Sequence, residues 1–121
     1  MALEWEQLVV DARDGNALAH WWQEALGWTY LVESDPDEFE IRPSEDRFPG
    51  LLFIPVPESK AIKNRLHLDF RPDDRDAEVE RLTGLGATRA DVGQGDETWV
   101  VLADPEGNEF CVLSSKPSVG A

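Results

Sequence analysis

Hydrophobic and polar residues follow two different periods along this chain, and the periods change at short turns rich in glycine, proline and acidic residues. Residues 3–10 and 66–70 alternate with a period of two, which is typical of half-buried strands. Each of these runs is followed by an acidic turn and then by apolar residues at helical spacing. The pattern therefore predicts a strand followed by a helix in each half of the chain.

The first half of the chain continues from its helix into three more strands. Asp14-Gly15-Asn16 offers N-cap chemistry ahead of a predicted helix over residues 17–26, and Gly27 is suited to end that helix. Alternation and short apolar runs predict the strands 3–10, 28–32, 38–42 and 51–56. Residues 57–63 look like a linker between the halves.

The second half repeats this order. Pro72-Asp73-Asp74 predicts a turn and the start of a helix over residues 75–85, which Gly86 ends. The apolar side of that helix is expected to carry Ala77, Val79, Leu82 and Leu85. The predicted strands are 66–70, 87–91, 98–102 and 109–113, and the residues from 115 onward form a polar tail.

The two halves have the same order of predicted strands and helix and can be aligned on that order, although few residues are identical. The aligned pairs are Gln7 with His67, Asp14 with Asp74, Leu26 with Leu85, Gly27 with Gly86 and Gly50 with Gly107. Each half is a βαβββ module whose one helix covers only one face of its sheet. We therefore predict an α+β fold in which two tandem modules form a curved sheet cup with the helices outside. Module 1 is expected over about 3–57 and module 2 over about 64–114 of a single domain.

Composition narrows the class of protein and its partners. The 121 residues are 41% hydrophobic with five tryptophans, which predicts one folded domain. No apolar run approaches the roughly 20 residues that span a bilayer, and the N-terminus lacks a signal pattern, so we expect a cytoplasmic protein. The lone cysteine, Cys111, lies in an apolar strand pattern and is interpreted as a reduced structural thiol.

The formal net charge of −14, from 25 acidic and 11 basic residues, disfavours anionic partners. Binding to phosphate requires Lys and Arg to displace counterions, so nucleic acid and anionic membrane are not expected partners. A surface of this sign attracts a cationic ligand. The alternative is that the charge only keeps the protein in solution.

Three segments carry a resemblance to a known family: Asn64–Phe70, Leu85–Thr88 and Ala103–Phe110. The last contains Asp-Pro-x-Gly-Asn, a tight turn ahead of the final strand. With these segments the chain resembles the vicinal oxygen chelate superfamily, the glyoxalase, bleomycin-resistance and dioxygenase group, and in particular its small bacterial glyoxalase-like proteins. The resemblance implies a small-molecule ligand and a homodimer.

The resemblance also implies a divalent metal, Fe, Mn, Zn or Ni, held by the first and last strands of each half. Carried over by position, the metal ligands are Gln7, His67 and Glu109, with Leu52 at the fourth position. Leu52 has no donor atom and cannot bind metal. By this alignment the chain therefore lacks a complete four-ligand site of the glyoxalase type. Family members similar to dioxygenases and fosfomycin-resistance proteins leave that position empty and use two His and one carboxylate. In this chain Gln7 replaces the first of those His residues.

If a metal is bound, the expected catalytic residues are Glu109, as general base, and His67. The alternative for His67 is a structural hydrogen bond to Glu109 or Asp69. Strand parity places further side chains in the cup: the aromatic rings could stack on a ligand, Arg42 could hold a carboxylate, and acidic groups could hold an amine. The expected substrate-binding residues are Trp5, Asp11, Glu40, Arg42, Asp69 and Trp99.

The sequence leaves three functions open. The first is a metal-dependent lyase, isomerase or oxygenase acting on a small molecule with vicinal oxygens, which His67 and Glu109 favour. The second is a protein of the bleomycin-resistance type that binds and sequesters a small molecule without metal, which the net charge, Leu52 and the tryptophans favour. The third is a scaffold whose cup is filled by its own side chains.

Overall fold

The computed structural model describes residues 2–91, 93 and 98–117, and the predicted elements appear in it in the predicted order. The α+β class and the two βαβββ modules are confirmed. The elements are β1 (Gln7–Ala12), α1 (Gly15–Leu26), β2 (Tyr30–Asp35), β3 (Glu38–Arg42), β4 (Gly50–Pro55), β5 (Leu68–Phe70), α2 (Arg75–Gly84), β6 (Thr88–Arg89), β7 (Val100–Ala103) and β8 (Glu109–Val112).

Each module folds into a four-stranded sheet with the same strand order. The orders are β1-β4-β3-β2 and β5-β8-β7-β6, so the first strand of each module pairs with the last. That pairing is parallel, and the remaining pairings in both sheets are antiparallel. The chain divides into two compact units, residues 1–59 and 60–121. The repeat of plan between the halves is therefore present in the topology, whereas the single domain of 121 residues stays a prediction.

The helix caps align the two modules residue by residue. The side chains of Asp14 and Asp74 accept hydrogen bonds from the backbone N–H of Ala17 and Ala77, at 3.0 and 3.1 Å. Each bond satisfies one of the N–H groups that the first turn of a helix leaves free. The predicted equivalence of Asp14 with Asp74 thus holds in local geometry.

Each helix buries an apolar face on its own sheet. In the first unit α1 buries Leu18 and Trp22 and packs on β3 and β4, whose Ile41 and Phe53 have no exposed surface. In the second unit α2 contacts β8 and buries two of its predicted apolar positions, Val79 and Leu82, whereas Ala77 is exposed. The ring of Phe110 on β8 meets that of Phe70 on β5 edge to face, with centroids 6.0 Å apart.

The first strand of each module is shorter than its alternating pattern predicts. β1 begins at Gln7, opposite Gly50, where its partner β4 begins. Glu6 only accepts a hydrogen bond from the Gly50 N–H, and no strand in the described part of the chain pairs with residues 3–6. Trp5 consequently lies outside the strand and is 65% exposed. Leu3 also lies outside it and is 87% exposed. An alternating pattern marks strand potential, but a strand extends only as far as its partner.

In the part of the chain that the structure describes, no helix has the length and apolar character needed to cross a membrane.

Candidate functional site

A tight turn between β7 and β8 fixes the start of the last strand. The carboxylate of Asp104, 3% exposed, accepts hydrogen bonds from the backbone N–H groups of Glu106 and Asn108 at 2.9 and 3.0 Å. The Asn108 side-chain amide donates to the same carboxylate at 2.9 Å. Gly107 has a φ of 88°, a conformation that L side chains rarely adopt. The turn therefore sets where the chain enters β8 at Glu109.

The parallel pairing of β5 with β8 brings three groups with metal-binding chemistry together. Asp69 pairs with Cys111 across the two strands, and His67 lies two residues before Asp69, on the same face. The His67 Nδ1 atom lies 3.1 Å from Asp69 Oδ1 and 3.7 Å from Cys111 Sγ. The predicted structural contact of His67 with Asp69 is thus present, with Cys111 beside it.

The Cys111 thiol is buried and holds its proton strongly. Burial raises the pKa of Cys111 to about 11, and the hydrogen bond and negative charge of Asp69 raise it in the same direction. A thiol is a weak nucleophile while it keeps its proton. A pKa of this value keeps the Cys111 thiol almost entirely protonated at neutral pH, as expected for a structural thiol.

Glu109 is held by groups at the start of the second unit. Its Oε1 atom lies 2.6 Å from the Lys60 Nζ atom and accepts a hydrogen bond from the Asn64 backbone N–H at 3.2 Å. Burial would raise the pKa of Glu109, but the bonds from Lys60 and Asn64 outweigh it and lower the pKa below 4.5. Glu109 is thus an ionised, paired carboxylate, which weakens it as a general base at neutral pH.

The second unit contains a cavity of about 360 Å³ beside these groups. Its polar side includes His67, Asp69 and Glu109, and its apolar side includes Trp99 and Val101. Such a mixture of an apolar wall and a few convergent polar groups is typical of small-molecule sites. The residues that line the cavity are Lys63, Asn64, His67, Asp69, Trp99, Val101, Glu109, Cys111 and Leu113.

The register corrects the position assigned to the fourth ligand in the first module. Leu8 pairs with Leu51, whereas Leu68, sixty residues further on, pairs with Phe110. The residue equivalent to Glu109 is therefore Gly50, and Leu52 is equivalent to Cys111. The alignment of Gly50 with Gly107 was off by two residues, which conserves strand parity and so cannot be detected from alternation alone.

Gly50 has no room for a side chain. A Cβ atom there would lie 2.7 Å from Arg42 Cγ and 2.8 Å from the Ile41 carbonyl oxygen. The space beside Gly50 is filled by Arg42 and by Glu40, whose Oε2 atom lies 3.3 Å from Arg42 Nε. The fourth ligand position of the first module is therefore closed by neighbouring side chains.

Arg42 is held on several sides within the first unit. Its guanidinium lies over the rings of Tyr30 and Phe48, at 4.4 and 4.5 Å from their centroids, and donates to the Glu45 carbonyl. These contacts and the ion pair with Glu40 hold the guanidinium within its own unit. Among the described residues, Arg42 Nε and Glu40 Oε2 nevertheless form no hydrogen bond. A substrate would have to compete with them, and the binding roles predicted for Glu40 and Arg42 stay predictions.

The remaining sequence-predicted residues divide between the two units. Trp99 and Asp69 line the cavity together with His67 and Glu109. Trp5, Gln7 and Asp11 lie in the first unit; Asp11 is exposed on β1, and the Trp5 indole N–H donates to the Gln7 carbonyl at 3.3 Å. The predicted ligand set has Gln7 in the first unit and His67 and Glu109 in the second, and it stays a prediction.

Four residues of this site were given no binding role from the sequence: Lys60, Lys63, Asn64 and Cys111. Lys60 and Lys63 belong to the stretch 57–63 that was interpreted as a linker, and Asn64 follows it directly. No local pattern signals that this stretch folds back on β8. Cys111 carries a usable signal, because it shares the face of Glu109 by parity and the βαβββ plan pairs its strand with that of Asp69. Of the described residues, His67, Asp69 and Cys111 form the group whose possible metal-ligand atoms all lie within 4.8 Å of one another.

A family model described as a glyoxalase-like domain matches residues 7–113. No curated protein matches the chain significantly. The fold is similar to a glyoxalase/bleomycin resistance protein/dioxygenase family enzyme from Burkholderia phytofirmans, with 20% identity, coverage of 91% of this chain and 97% of that chain, and a TM-score of 0.68.

Two more solved structures are similar over nearly their whole length. TnmS3, an antibiotic binding protein from a Streptomyces species, is 20% identical, with coverage of 96% of this chain and 99% of that one and a TM-score of 0.66. The fosfomycin resistance protein FosX from Mesorhizobium loti is 14% identical, with coverage of 96% and 94% and a TM-score of 0.67. At these identities the likeness concerns the fold.

Proposed function

Because this chain belongs to the glyoxalase-like domain family, we propose that it binds a small molecule in the cavity of its second module, through its own side chains and not through a metal held by Glu109. The observation that carries the proposal is the 2.6 Å contact between Glu109 and Lys60. A carboxylate neutralised by an ammonium group and a backbone N–H is a poor metal ligand, since a divalent cation would have to displace Lys60 or share the carboxylate with it.

The cavity suits a ligand that has a flat apolar part and a cationic part. Trp99 offers a ring for stacking, and Val101 and Leu113 extend the apolar wall. Asp69 is about half exposed, so its carboxylate can pair with an incoming cation. The net charge of −14 would raise the local concentration of such a ligand. The description of TnmS3 as an antibiotic binding protein agrees with a binding role on this fold.

Metal-free bleomycin, a basic glycopeptide, is a suitable first probe. We expect saturable quenching of tryptophan fluorescence in the presence of EDTA, with affinity reduced tenfold or more in Trp99→Phe and in Asp69→Asn. The matched control is Trp28→Phe, which removes a tryptophan that does not line the cavity. Absence of saturable binding, equal binding by all variants, or binding only after a metal is added would contradict the proposal.

The second candidate function is a metal-dependent lyase, isomerase or oxygenase. The observation that favours it is the close grouping of His67, Asp69 and Cys111 in the cavity wall. That set differs from the one implied by family resemblance, because Asp69 and the Cys111 thiol take the place of Gln7 and Glu109. Formation of a homodimer is a further proposal.

A further inference from the structure

Three donor atoms of different chemistry converge in the second module without a shared partner. The Nδ1 atom of His67 faces the carboxylate of Asp69 at 3.1 Å and the sulfur of Cys111 at 3.7 Å. One N–H on that nitrogen can be directed well at only one of the two acceptors. A cation placed between the three atoms would satisfy all of them at once.

We propose that His67, Asp69 and Cys111 form a binding site for a zinc-like divalent cation. Imidazole, carboxylate and thiolate are the ligands that zinc accepts in proteins, and the thiolate selects against the hard cations Mg²⁺ and Ca²⁺. With a thiolate and a carboxylate, the site would neutralise a 2+ ion. As the metal–sulfur bond forms, the thiol proton of Cys111 passes to solvent.

Two of the three spacings are close to those of tetrahedral coordination, and all three atoms lie within 4.8 Å of one another. Metal–nitrogen and metal–oxygen bonds of about 2.0 Å and a metal–sulfur bond of about 2.3 Å place N and O about 3.3 Å apart and N and S about 3.5 Å apart. The distances in the protein are 3.1 Å from His67 to Asp69 and 3.7 Å from His67 to Cys111. His67 and Asp69 are about half exposed, so their side chains can rotate to bring the three atoms around one ion.

The strands fix the backbone positions of two of the ligands, and the cavity leaves the other side of the site open to solvent. Cys111 is buried in β8 and is paired with Asp69 across β5, so the strand register holds two of the three ligands. His67 and Asp69 are roughly half exposed along the wall of the cavity. Three protein ligands leave a fourth coordination position, which would be available to water or to an oxygen of a bound molecule.

Co²⁺ is the most informative probe, because a thiolate bound to it gives a charge-transfer absorption in the near ultraviolet. We expect one Co²⁺ per chain with this absorption, displaced by Zn²⁺. Cys111→Ser should remove the absorption, and Asp69→Asn and His67→Ala should weaken Co²⁺ binding tenfold or more. The matched control is His20→Ala, since His20 lies on helix α1 in the first unit.

Glu109→Gln distinguishes this site from the ligand set of Gln7, His67 and Glu109. We expect the charge-transfer absorption to persist in that variant, because Glu109 is not one of the three proposed ligands. It would be overturned by absence of Co²⁺ binding, by binding without the absorption, or by an absorption that survives Cys111→Ser. Asp69 is exposed, so Asp69→Asn keeps the test valid if Cys111→Ser fails to fold. The titration needs no organic ligand, and its result is independent of bleomycin binding.

Discussion

The Lys60 ammonium group lies 2.6 Å from the Glu109 carboxylate, and this ion pair fixes the segment before β5 against the last strand of the second module. Lys60 also donates to the Ile62 carbonyl at 2.7 Å, and the Asn64 side chain donates to the Glu109 carbonyl at 3.4 Å. Glu109 therefore anchors a stretch of backbone that lines the cavity.

Replacement of Lys60 should raise the pKa of Glu109. In Lys60→Met, burial still favours the neutral acid, whereas only the backbone hydrogen bonds of Asn64 and Glu109 remain to stabilise the carboxylate. NMR titration of the Glu109 side-chain carboxyl should show the rise. The control is Lys116→Met, which removes an exposed lysine 3.5 Å from Asp73 and should leave Glu109 unchanged. Titration of Glu109 at the same pH in Lys60→Met would contradict the role of this ion pair.

The same pair gives stability a defined dependence on pH. The pKa of Glu109 is lower in the folded protein than its ordinary value of 4.5, so the unfolded chain takes up this proton first as pH falls. The stabilisation is thus complete above about pH 4.5 and is lost as pH falls through the folded pKa. Urea unfolding of Glu109→Gln across this range should show a weaker acid dependence than the parent protein, and an identical dependence would contradict it.

The Cys111 thiol should react slowly with iodoacetamide in metal-free protein. Its pKa of about 11, against an ordinary 9.0, lowers the thiolate fraction at pH 8 roughly a hundredfold. Asp69→Asn removes a neighbouring charge and hydrogen bond that raise this pKa, so alkylation should become faster. The control is Asp73→Asn, whose side chain is 94% exposed outside the site. Alkylation at the rate of a free model thiol would contradict the assignment.

Gly50→Ala should lower the free energy of unfolding by about 1–3 kcal/mol. The added Cβ meets the Ile41 carbonyl oxygen at 2.8 Å, and this backbone atom cannot move away without disturbing the β3–β4 pairing. Gly84→Ala is the matched control, since nothing lies within 4 Å of its Cβ position and alanine favours a helix by up to about 1 kcal/mol. Equal stability of the two variants in urea unfolding would show that Gly50 is not crowded.

Asp104→Ala should destabilise the protein by about 2–4 kcal/mol, because the hydrogen bonds that its buried carboxylate accepts each connect to the turn before β8. Thermal and urea unfolding measure the loss. Asp73→Ala removes an exposed carboxylate paired only at 3.5 Å and should change stability by less than about 1 kcal/mol. Similar stability of both variants would contradict the structural role of Asp104.

Local patterns in the sequence were sufficient to predict most of the fold. Alternation, the capping residues Asp14 and Asp74, and the Asp104 turn each act within a few residues, and the repeat of one plan in two halves supplied the topology. The register between strands depends on distant residues, and so the equivalence of Glu109 with Gly50 was missed by two positions.

The candidate site was predicted in part, for the same physical reason. Strand parity identified the shared face of His67 and Asp69, but the contact with Cys111 requires the β5–β8 pairing. The ion pair of Lys60 with Glu109 requires a fold-back of an irregular segment, which has no periodic signal. These tertiary contacts add a structural role for Glu109, whereas its roles as metal ligand and general base stay predictions.

The most direct test of ligand binding in the second module is a ¹H–¹⁵N NMR titration with metal-free bleomycin in EDTA. We predict that the Trp99 indole signal and the backbone signals of Asp69 and Val101 shift with saturation. The indole signal of Trp22, buried in the core of the first unit, should not change. Saturable shifts elsewhere with Trp99 and Asp69 unchanged, or no shifts at all, would contradict ligand binding in the second module.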